Sequence, residues 1–390
     1  MVLLLGISLP TACLPRGGGA DQIKPGNAVW LDIQSNPSFD GLFTVVEFQV
    51  SAPGSSDDFH YRWDIPDALG LGGLQGPDSG TAGGNRRVLA VFGTPGPHEL
   101  SVSAFDPGDN PVTTASRQLT TPRSRSLPAG DRPGPYRTLE QTGDPLALEG
   151  RISSVTGGSI DDFPVIGHAG RFTLYKAISA GYFRVRTDNG WWYDLFVSPL
   201  PSRHVDRADR DWYLTQWNTE TQSNCGPTAT AMGISWATGQ STEVADIRRR
   251  IGWQGDGAVS LEELLAVARD AGTQARLKPL ASPADIFDEL ARDRLVIISY
   301  NMVGIPTATD PLKDFVGQYY RDEGGHYLTL KGFSLDRRHV IVYDPIPSDW
   351  ASNALRYADG VSMLGRNRYY PIDRLWAAMG NRQALVISAD

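Results

Sequence analysis

The spacing of apolar residues changes near residue 205, and this change limits the folds open to the chain. Residues 28 to 120 contain runs in which apolar and polar residues alternate, such as TVVEFQVSA and HELSVSAF, separated by turn clusters such as GTPGP. Alternation of this kind is typical of half-buried β-strands. After residue 205, helical periods alternate with short apolar runs. The chain of 390 residues therefore predicts several domains, all-β first and mixed helix and strand afterwards.

Turn-rich stretches divide the chain into five expected segments. The run TPRSRSLPAGDRPGPYRTLEQT is rich in Pro, Gly, Arg and Ser and is typical of a linker. Further on, Asn189-Gly190 lies between two alternating runs, which predicts a type I′ β-hairpin. We expect a leader at 1–22, a β-sandwich at 23–120, a linker at 121–142, a small β domain at 143–204 and a mixed domain at 205–390.

Aromatic residues mark both β segments. Tyr61-Arg62-Trp63-Asp64, followed by LSVSAFDPGDN, resembles the immunoglobulin-like domains of the polycystic-kidney-disease type, which implies an immunoglobulin-like sandwich for the first segment. In the second segment, WWY at 191–193 could stack on a ligand. Since neighbouring residues of a strand point to opposite faces, at least one of the three should be buried, and we favour a structural role for this run.

The first residues, MVLLLGISLPTACLP, contain an apolar stretch that is too short to span a bilayer but has the length of a signal-peptide core. The segment LPTAC, ending at Cys13, resembles the lipobox of bacterial lipoproteins, in which the cysteine is acylated. The alternative is a buried N-terminal strand. We expect export to a secreted, outer-surface or periplasmic location, with a lipid anchor at Cys13 as the one membrane contact.

Composition and charge exclude several classes of function. The formal net charge is -8 and no dense Lys/Arg stripe is present, which argues against a nucleic-acid partner. The 6 His and 2 Cys are scattered and match no recognised spacing of metal ligands, so we expect no metal and no cofactor.

The segment SNCGPTATAMGISWATG predicts a helix that begins with a cysteine. Cys225, Ala229, Met232 and Trp236 fall on one helical face, with a Pro in the first turn and Gly239 at the end. If Cys13 is removed or acylated, no second thiol is left to pair with Cys225. The positive end of a helix lowers the pKa of a thiol, so Cys225 is a candidate nucleophile. The alternative is an inert core cysteine.

A nucleophilic thiolate needs a base, and His326 is the best placed of the histidines. It follows two glycines and opens the strand YLTLKGF, while Asp344 ends the next strand, VIVYDP. The short turn SLDRRH joins the two strands as an antiparallel hairpin, which brings His326 and Asp344 to the same end of the sheet. Asp344 would then orient His326 against Cys225. The alternative is that Asp344 only initiates a turn before Pro345.

Together, CGPTATAM, GGHYLTLKGF and VIVYDP resemble the papain-like cysteine peptidases of the bacteriocin-processing, double-glycine leader peptidase type, over roughly 210–390. The resemblance implies a papain-like α+β fold with Cys225 as nucleophile, His326 as base and Asp344 as orienting group. The family also uses a Gln before the nucleophile as an oxyanion donor. Both Gln216 and Gln222 precede Cys225, and we prefer Gln216 because it begins Gln-Trp-Asn, as in many relatives.

The expected fold class is therefore an all-β N-terminal part, with an immunoglobulin-like sandwich and a small β domain, followed by an α+β papain-like peptidase domain. Three functions remain open. The first is a secreted or lipid-anchored cysteine peptidase that acts on a peptide or protein substrate. The second uses the same triad for acyl transfer or for cell-wall amide cleavage. The third is a non-enzymatic protein whose β domains bind a cell-surface ligand.

Overall fold

The structure is a computed structural model that describes residues 31–39, 43–51, 59–73, 86–121, 136–206, 211–216, 223–252, 257–346 and 356–389. The leader expected at 1–22 with Cys13, most of the expected linker, and Gln222 lie outside the described residues. What was expected of them stays a prediction. Within the described ranges, no helix has both the length and the apolar character needed to pass through a bilayer.

The first part of the chain folds into two antiparallel sheets around one apolar core. Its strands are β1 (Asp32–Phe39), β2 (Thr44–Ser51), β3 (His60–Asp64), β4 (Gly70–Gly73), β5 (Arg87–Phe92), β6 (Gly96–Phe105) and β7 (Pro111–Thr121). The strand orders are β1-β2-β5-β4 and β3-β6-β7. Alternate residues of β6 are buried, as the period-two pattern requires, and both sheets contribute to the core, with Phe48 from β2 and Val102 from β6.

The second part also consists of strands. These are β8 (Tyr136–Leu139), β9 (Pro145–Glu149), β10 (Ile152–Thr156), β11 (Val165–Ala169), β12 (Phe172–Lys176), β13 (Gly181–Thr187), β14 (Trp192–Val197) and β15 (Ser202–His204). Two sheets have the orders β10-β13-β14-β8 and β11-β12-β9. The predicted hairpin at Asn189-Gly190 is present as β13–β14, and Tyr193 is buried while Trp192 is exposed. The turn type was wrong, because a type I′ turn needs a positive φ at both central residues and only Gly190 has one.

The third part contains all five α-helices of the described chain, and a seven-stranded antiparallel sheet. The helices are α1 (Cys225–Thr238), α2 (Val244–Ile251), α3 (Leu261–Asp270), α4 (Pro283–Ala291) and α5 (Ile372–Ala378). The strands are β16 (Gln274–Pro279), β17 (Leu295–Asn301), β18 (Gly325–Ser334), β19 (His339–Tyr343), β20 (Arg368–Pro371) and β21 (Gln383–Ser388), in the order β16-β21-β17-β18-β19-β20. The seventh strand is β15, which pairs with β18.

Local sequence signals account for the helix ends. Gly239 follows α1 in a left-handed conformation with φ 77°, as a helix C-terminus favours. Ser260 and Glu263 form the reciprocal hydrogen bonds of a capping box at the start of α3. Pro283 occupies the first turn of α4, where a missing N–H costs nothing. The predicted end of the first helix at Gly239 is confirmed.

The fold class predicted from the sequence is wrong. Strands account for 44% and helices for 18% of the structure, spread over several sheets, and a papain-like α+β domain is not clearly shown by the described residues. The sequence signals were strong for the helices but missed strands such as QARLKP and RYYP, because these segments carry no clean alternation of apolar and polar residues. Pairing with neighbouring strands, rather than local pattern, makes them part of the sheet.

The three parts are joined by shared apolar cores. Val45 and Leu89 of the first part pack with Phe172 and Leu174 of the second. At this junction a Cβ on Gly72 would lie 1.5 Å from the backbone oxygen of His168, so only glycine allows so close an approach. A further shared core contains the side chains of Tyr182 and Phe196 from β13 and β14 and of Trp212, Tyr343 and others from the third part.

Candidate active site

Cys225 lies at the N-terminus of α1, at the edge of the third part. Cys225 as a residue is partly exposed and forms no disulfide, whereas the residues from Gly226 to Ala237 are buried. Asn224, just before the helix, makes no capping hydrogen bond with its side chain and instead accepts one from Arg248 of α2. The helix therefore presents its first residue to a surface cleft while the rest of it lies in the core.

His326 and Asp344 lie at the same end of the β18–β19 hairpin, as the expected pairing requires. His326 is the second residue of β18, and Asp344 directly follows β19. The Nε2 atom of His326 is 2.8 Å from Oδ1 of Asp344, and both side chains are buried. The structure brings these two residues together with Cys225.

His326 and Cys225 line the same cleft, and each side chain shifts the pKa of the other. Since Nε2 faces Asp344, the ring nitrogen that serves the thiol is Nδ1. Burial tends to raise the pKa of the Cys225 thiol, but the hydrogen bond and charge of His326 outweigh it and lower the pKa overall, helped by the backbone N–H groups of Tyr327 and Gly226. The two side chains are arranged to hold a thiolate next to an imidazolium.

The pKa of His326 moves in the opposite direction. Burial disfavours the imidazolium, yet the charge and hydrogen bond of Asp344, with those of Cys225, raise the pKa of His326 to about 10. His326 therefore carries its second proton at neutral pH, as the acid that protonates a leaving group must.

Asp344 is held by more partners than the sequence indicated. Its Oδ1 accepts hydrogen bonds from His326 and from the backbone N–H of Ile346 at 3.0 Å. Its Oδ2 accepts from the hydroxyls of Tyr320 at 2.8 Å and Tyr370 at 2.7 Å. Neither tyrosine was among the predicted site residues. The adjacent tyrosines in GQYYRDEGGHY and NRYYP were the only sequence signal, and nothing local in those segments points to a carboxylate.

A cleft of about 800 Å³ opens at Cys225 and His326. Gln216 also lines it, and the backbone N–H of Gln216 donates a hydrogen bond to Pro345 O at 2.9 Å, directly after Asp344. Three of the four predicted site residues therefore face one cleft, with the fourth, Asp344, behind His326. The cleft lining includes the carboxylates of Asp322 and Glu323 and no Lys or Arg side chain among the described residues.

His60, His204 and Trp192 lie away from the cleft at Cys225. Among the described residues, no group of three or more His, Cys, Asp or Glu could hold a metal ion. His60 pairs with Asp109 at 2.8 Å on the surface of the first part. His204 is buried against Ser198 at 2.7 Å in the connection between the second and third parts. Trp192 packs under the guanidinium of Arg186 at 5.5 Å, on the hairpin of the second part.

Comparison with known proteins adds little to this geometry. No family model and no curated protein matches the chain. One solved structure is that of a protein from Bacillus anthracis provisionally described as a C39-like peptidase. It is 16% identical, with a TM-score of 0.31, over 45% of this chain and 92% of that chain.

A second solved structure is that of SGBP-B of the Bacteroides ovatus mixed-linkage glucan utilization locus, in complex with a mixed-linkage heptasaccharide. It is 9% identical, with a TM-score of 0.13, over 93% of this chain and 91% of that chain. Similarities at these TM-scores carry no argument about function, so the function has to be argued from the cleft itself.

Proposed function

We propose that the protein is a cysteine peptidase with Cys225 as nucleophile, His326 as general acid and base, and Asp344 as the group that orients His326. The observation that carries this proposal is that Cys225 and His326 line one cleft while the Nε2 atom of His326 lies 2.8 Å from Oδ1 of the buried Asp344. A thiol and an imidazole whose pKa values are both shifted and which share a cleft are typical of functional sites.

The proposed reaction begins with attack of the Cys225 thiolate on the carbonyl carbon of a peptide bond. The tetrahedral intermediate collapses as the C–N bond breaks, and the imidazolium of His326 gives its proton to the leaving amine. A thioester remains on Cys225 and His326 is neutral. A water molecule then attacks the thioester and passes a proton to His326, which restores the thiolate and the imidazolium and releases the acid.

The negative oxygen of the intermediate needs hydrogen-bond donors. We propose that the side-chain amide of Gln216 supplies one, because Gln216 lines the cleft beside Cys225. The backbone N–H at the start of α1 supplies a second, since the first N–H groups of a helix have no partner within the helix. Asp344 keeps Nε2 of His326 engaged, so that Nδ1 remains directed at the thiol.

The substrate we propose is a peptide or protein, and we propose that the enzyme is exported. The apolar stretch before Cys13 supports export, with or without a lipid anchor at that residue. We also propose that the β-rich first and second parts bind a ligand at the cell surface.

The proposed function can be tested through the thiol itself. We expect the rate of alkylation of Cys225 by iodoacetamide to rise with an inflection below the free-cysteine value of about 8.5, since His326 lowers the pKa of the thiol. His326→Ala should move the inflection up to that value or above it, because burial then raises the pKa of the thiol without the opposing charge of His326. His339→Ala is the matched control, because His339 lies at the far end of the same hairpin.

Turnover and labelling complete the test. An epoxide probe for thiol proteases should modify Cys225 and no residue of Cys225→Ser, and hydrolysis of a fluorescent unfolded protein should be lost in that variant. An inflection near 8.5 in the parent protein, or undiminished hydrolysis by Cys225→Ser, would contradict the proposal.

A further inference from the structure

The carboxylate of Asp344 lies in a shell of hydrogen-bond donors that a simple orienting role does not require. Asp344 is completely buried and accepts four hydrogen bonds, two on each oxygen. Those on Oδ2 come from the hydroxyls of Tyr320 and Tyr370. The two carboxylate oxygens therefore have different side-chain partners: Oδ1 binds His326, and Oδ2 binds the two tyrosines.

The tyrosine hydroxyls come from elements that are distant in the chain. Tyr320 belongs to the irregular segment between β17 and β18, whereas Tyr370 lies on β20, beside β19 in the sheet. Both side chains are buried. Burial, followed by the charge of Asp344, raises the pKa of both hydroxyls well above the ordinary value, so each stays protonated and acts only as a donor to the carboxylate.

Further buried side chains hold Tyr320 in place. The hydroxyl of Tyr300 on β17 is 3.0 Å from that of Tyr320, and the side-chain amide of Gln318 donates to Tyr300 at 2.9 Å. Tyr300 and Tyr320 also place their rings edge-on to the imidazole of His326, with centroid distances of 5.9 and 6.3 Å. The same side chains therefore confine both the carboxylate and the ring that it orients.

We propose that Tyr320 and Tyr370 are positioning residues of the active site, which act through Asp344 to keep its Oδ1 aimed at His326. This inference rests on the proposed function. Donors on both oxygens fix the plane of the carboxylate, whereas the contacts of His326 and of the Ile346 N–H, both at Oδ1, would hold only one of its two oxygens. If the plane turns, His326 loses part of the charge and hydrogen bond that support its imidazolium, and Cys225 ionises less readily.

The other ionisable side chains around Asp344 do not take over the hydrogen bonds that Tyr320 and Tyr370 donate to its carboxylate. Tyr213, from residues 211–216, donates its hydroxyl to the backbone oxygen of Asp344 at 2.7 Å, not to the carboxylate. Arg368, on β20, binds the backbone oxygen of Gly317 at 2.7 Å and its charge acts on Tyr370. Burial, followed by the charge of Asp344, raises the pKa of Tyr319, and the ring of Tyr319 lies against the guanidinium of Arg368 at 5.4 Å.

The test uses single substitutions in the full chain. In Tyr370→Phe and in Tyr320→Phe we expect kcat to fall about 10-fold with KM changed by less than about two-fold, since loss of one hydrogen bond to a charged group misaligns the base without altering the cleft. The alkylation inflection of Cys225 should rise by about one pH unit. In an Asp344→Asn background, each substitution should change the alkylation rate by less than about two-fold, because the group through which the tyrosines act is already altered.

Tyr369→Phe is the matched control. Tyr369 is the neighbour of Tyr370 on β20, equally buried, and its hydroxyl contacts Ser202 at 3.0 Å instead of Asp344. It should lose similar stability in urea unfolding and keep the parent inflection. If Tyr320→Phe and Tyr370→Phe match the parent in kcat and inflection, or if their effects persist in full with Asp344→Asn, the positioning role is wrong. If the parent itself lacks the low inflection, the proposed function fails as well.

Discussion

At the scale of single residues, the chemistry of the cleft depends on two pKa shifts of opposite sign. Against the cost of burial, His326 lowers the pKa of Cys225, while Asp344 and then Cys225 raise the pKa of His326 to about 10. The thiolate and imidazolium therefore coexist between the two pKa values. We expect activity to fall as the pH drops through the lowered pKa of Cys225, where the thiolate is protonated, and as the pH rises through about 10, where His326 loses its proton.

Substitution of His326 should reduce turnover more than substitution of Asp344. His326→Ala removes the acid, the base and the counter-ion of the thiolate, and we expect turnover to fall on the order of 10⁴-fold or more. Asp344→Asn keeps an amide oxygen that can accept from Nε2 but removes the charge, and we expect a loss of about 10²-fold with the fold retained. Steady-state kinetics and urea unfolding measure both effects. If His326→Ala turns over substrate at close to the parent rate, His326 is not the base that serves Cys225.

At the scale of elements, the site depends on how the ends of strands are held. Asp344 follows β19, and its backbone N–H donates to Gly365 O at 2.8 Å, in the segment that leads into β20. A Cβ on Gly365 would lie 2.3 Å from the backbone oxygen of Asp344 and 2.2 Å from the hydroxyl of Tyr213. Gly365 therefore allows its own segment to pack directly against the backbone of Asp344.

Gly365→Ala should disturb this packing. The added methyl group has to displace the backbone at Asp344, and we expect it to cost about 1–3 kcal/mol of unfolding free energy and to lower kcat. Urea unfolding and kinetics of the full chain measure both quantities. Gly380→Ala is the control, since a Cβ at Gly380 meets no atom within 4 Å. Equal stability of the two variants would show that the segment at Gly365 can move aside.

Local patterns could predict the elements that carry Cys225, His326 and Asp344, and tertiary structure decides the rest. The start of α1 follows from Gly and Pro positions, and the placement of His326 beside Asp344 follows from two alternating strands joined by a short turn. The contact of Tyr370 with Asp344 could not be predicted from the sequence, because β20 and its partner β19 are separated by many residues of the chain. The fold class was missed for the same reason, since strands such as β16 and β20 are recognised by their partners rather than by their own residues.

At the scale of the whole molecule, the second part is packed into the sheet that carries His326. β15 pairs with β18 from Ser202 to His204. Lys331 on β18 is buried, and its Nζ lies 2.6 Å from Oδ2 of Asp206, which also accepts a hydrogen bond from Thr138 on β8 at 2.8 Å. Burial tends to raise the pKa of Asp206, but the charge of Lys331 outweighs it and the pKa is lowered, so a buried ion pair ties β8 to β18.

These contacts bear on the expected domain boundary between 204 and 205, and fragments of the chain can test it. A fragment of residues 205–390 would lose β15, the hydroxyl of Tyr182 that accepts from Asn367 at 2.8 Å, and the buried rings of Tyr182 and Phe196. Loss of one large core aromatic costs about 3–5 kcal/mol, against a total stability of about 5–15 kcal/mol for a typical domain. We therefore expect 205–390 to unfold without a cooperative transition in urea and to hydrolyse little substrate. A fragment of residues 136–390, which keeps these contacts, should unfold cooperatively and retain turnover. Equal unfolding midpoints and equal turnover in the two fragments would instead place the boundary at 204/205 and make the second part dispensable for the proposed reaction.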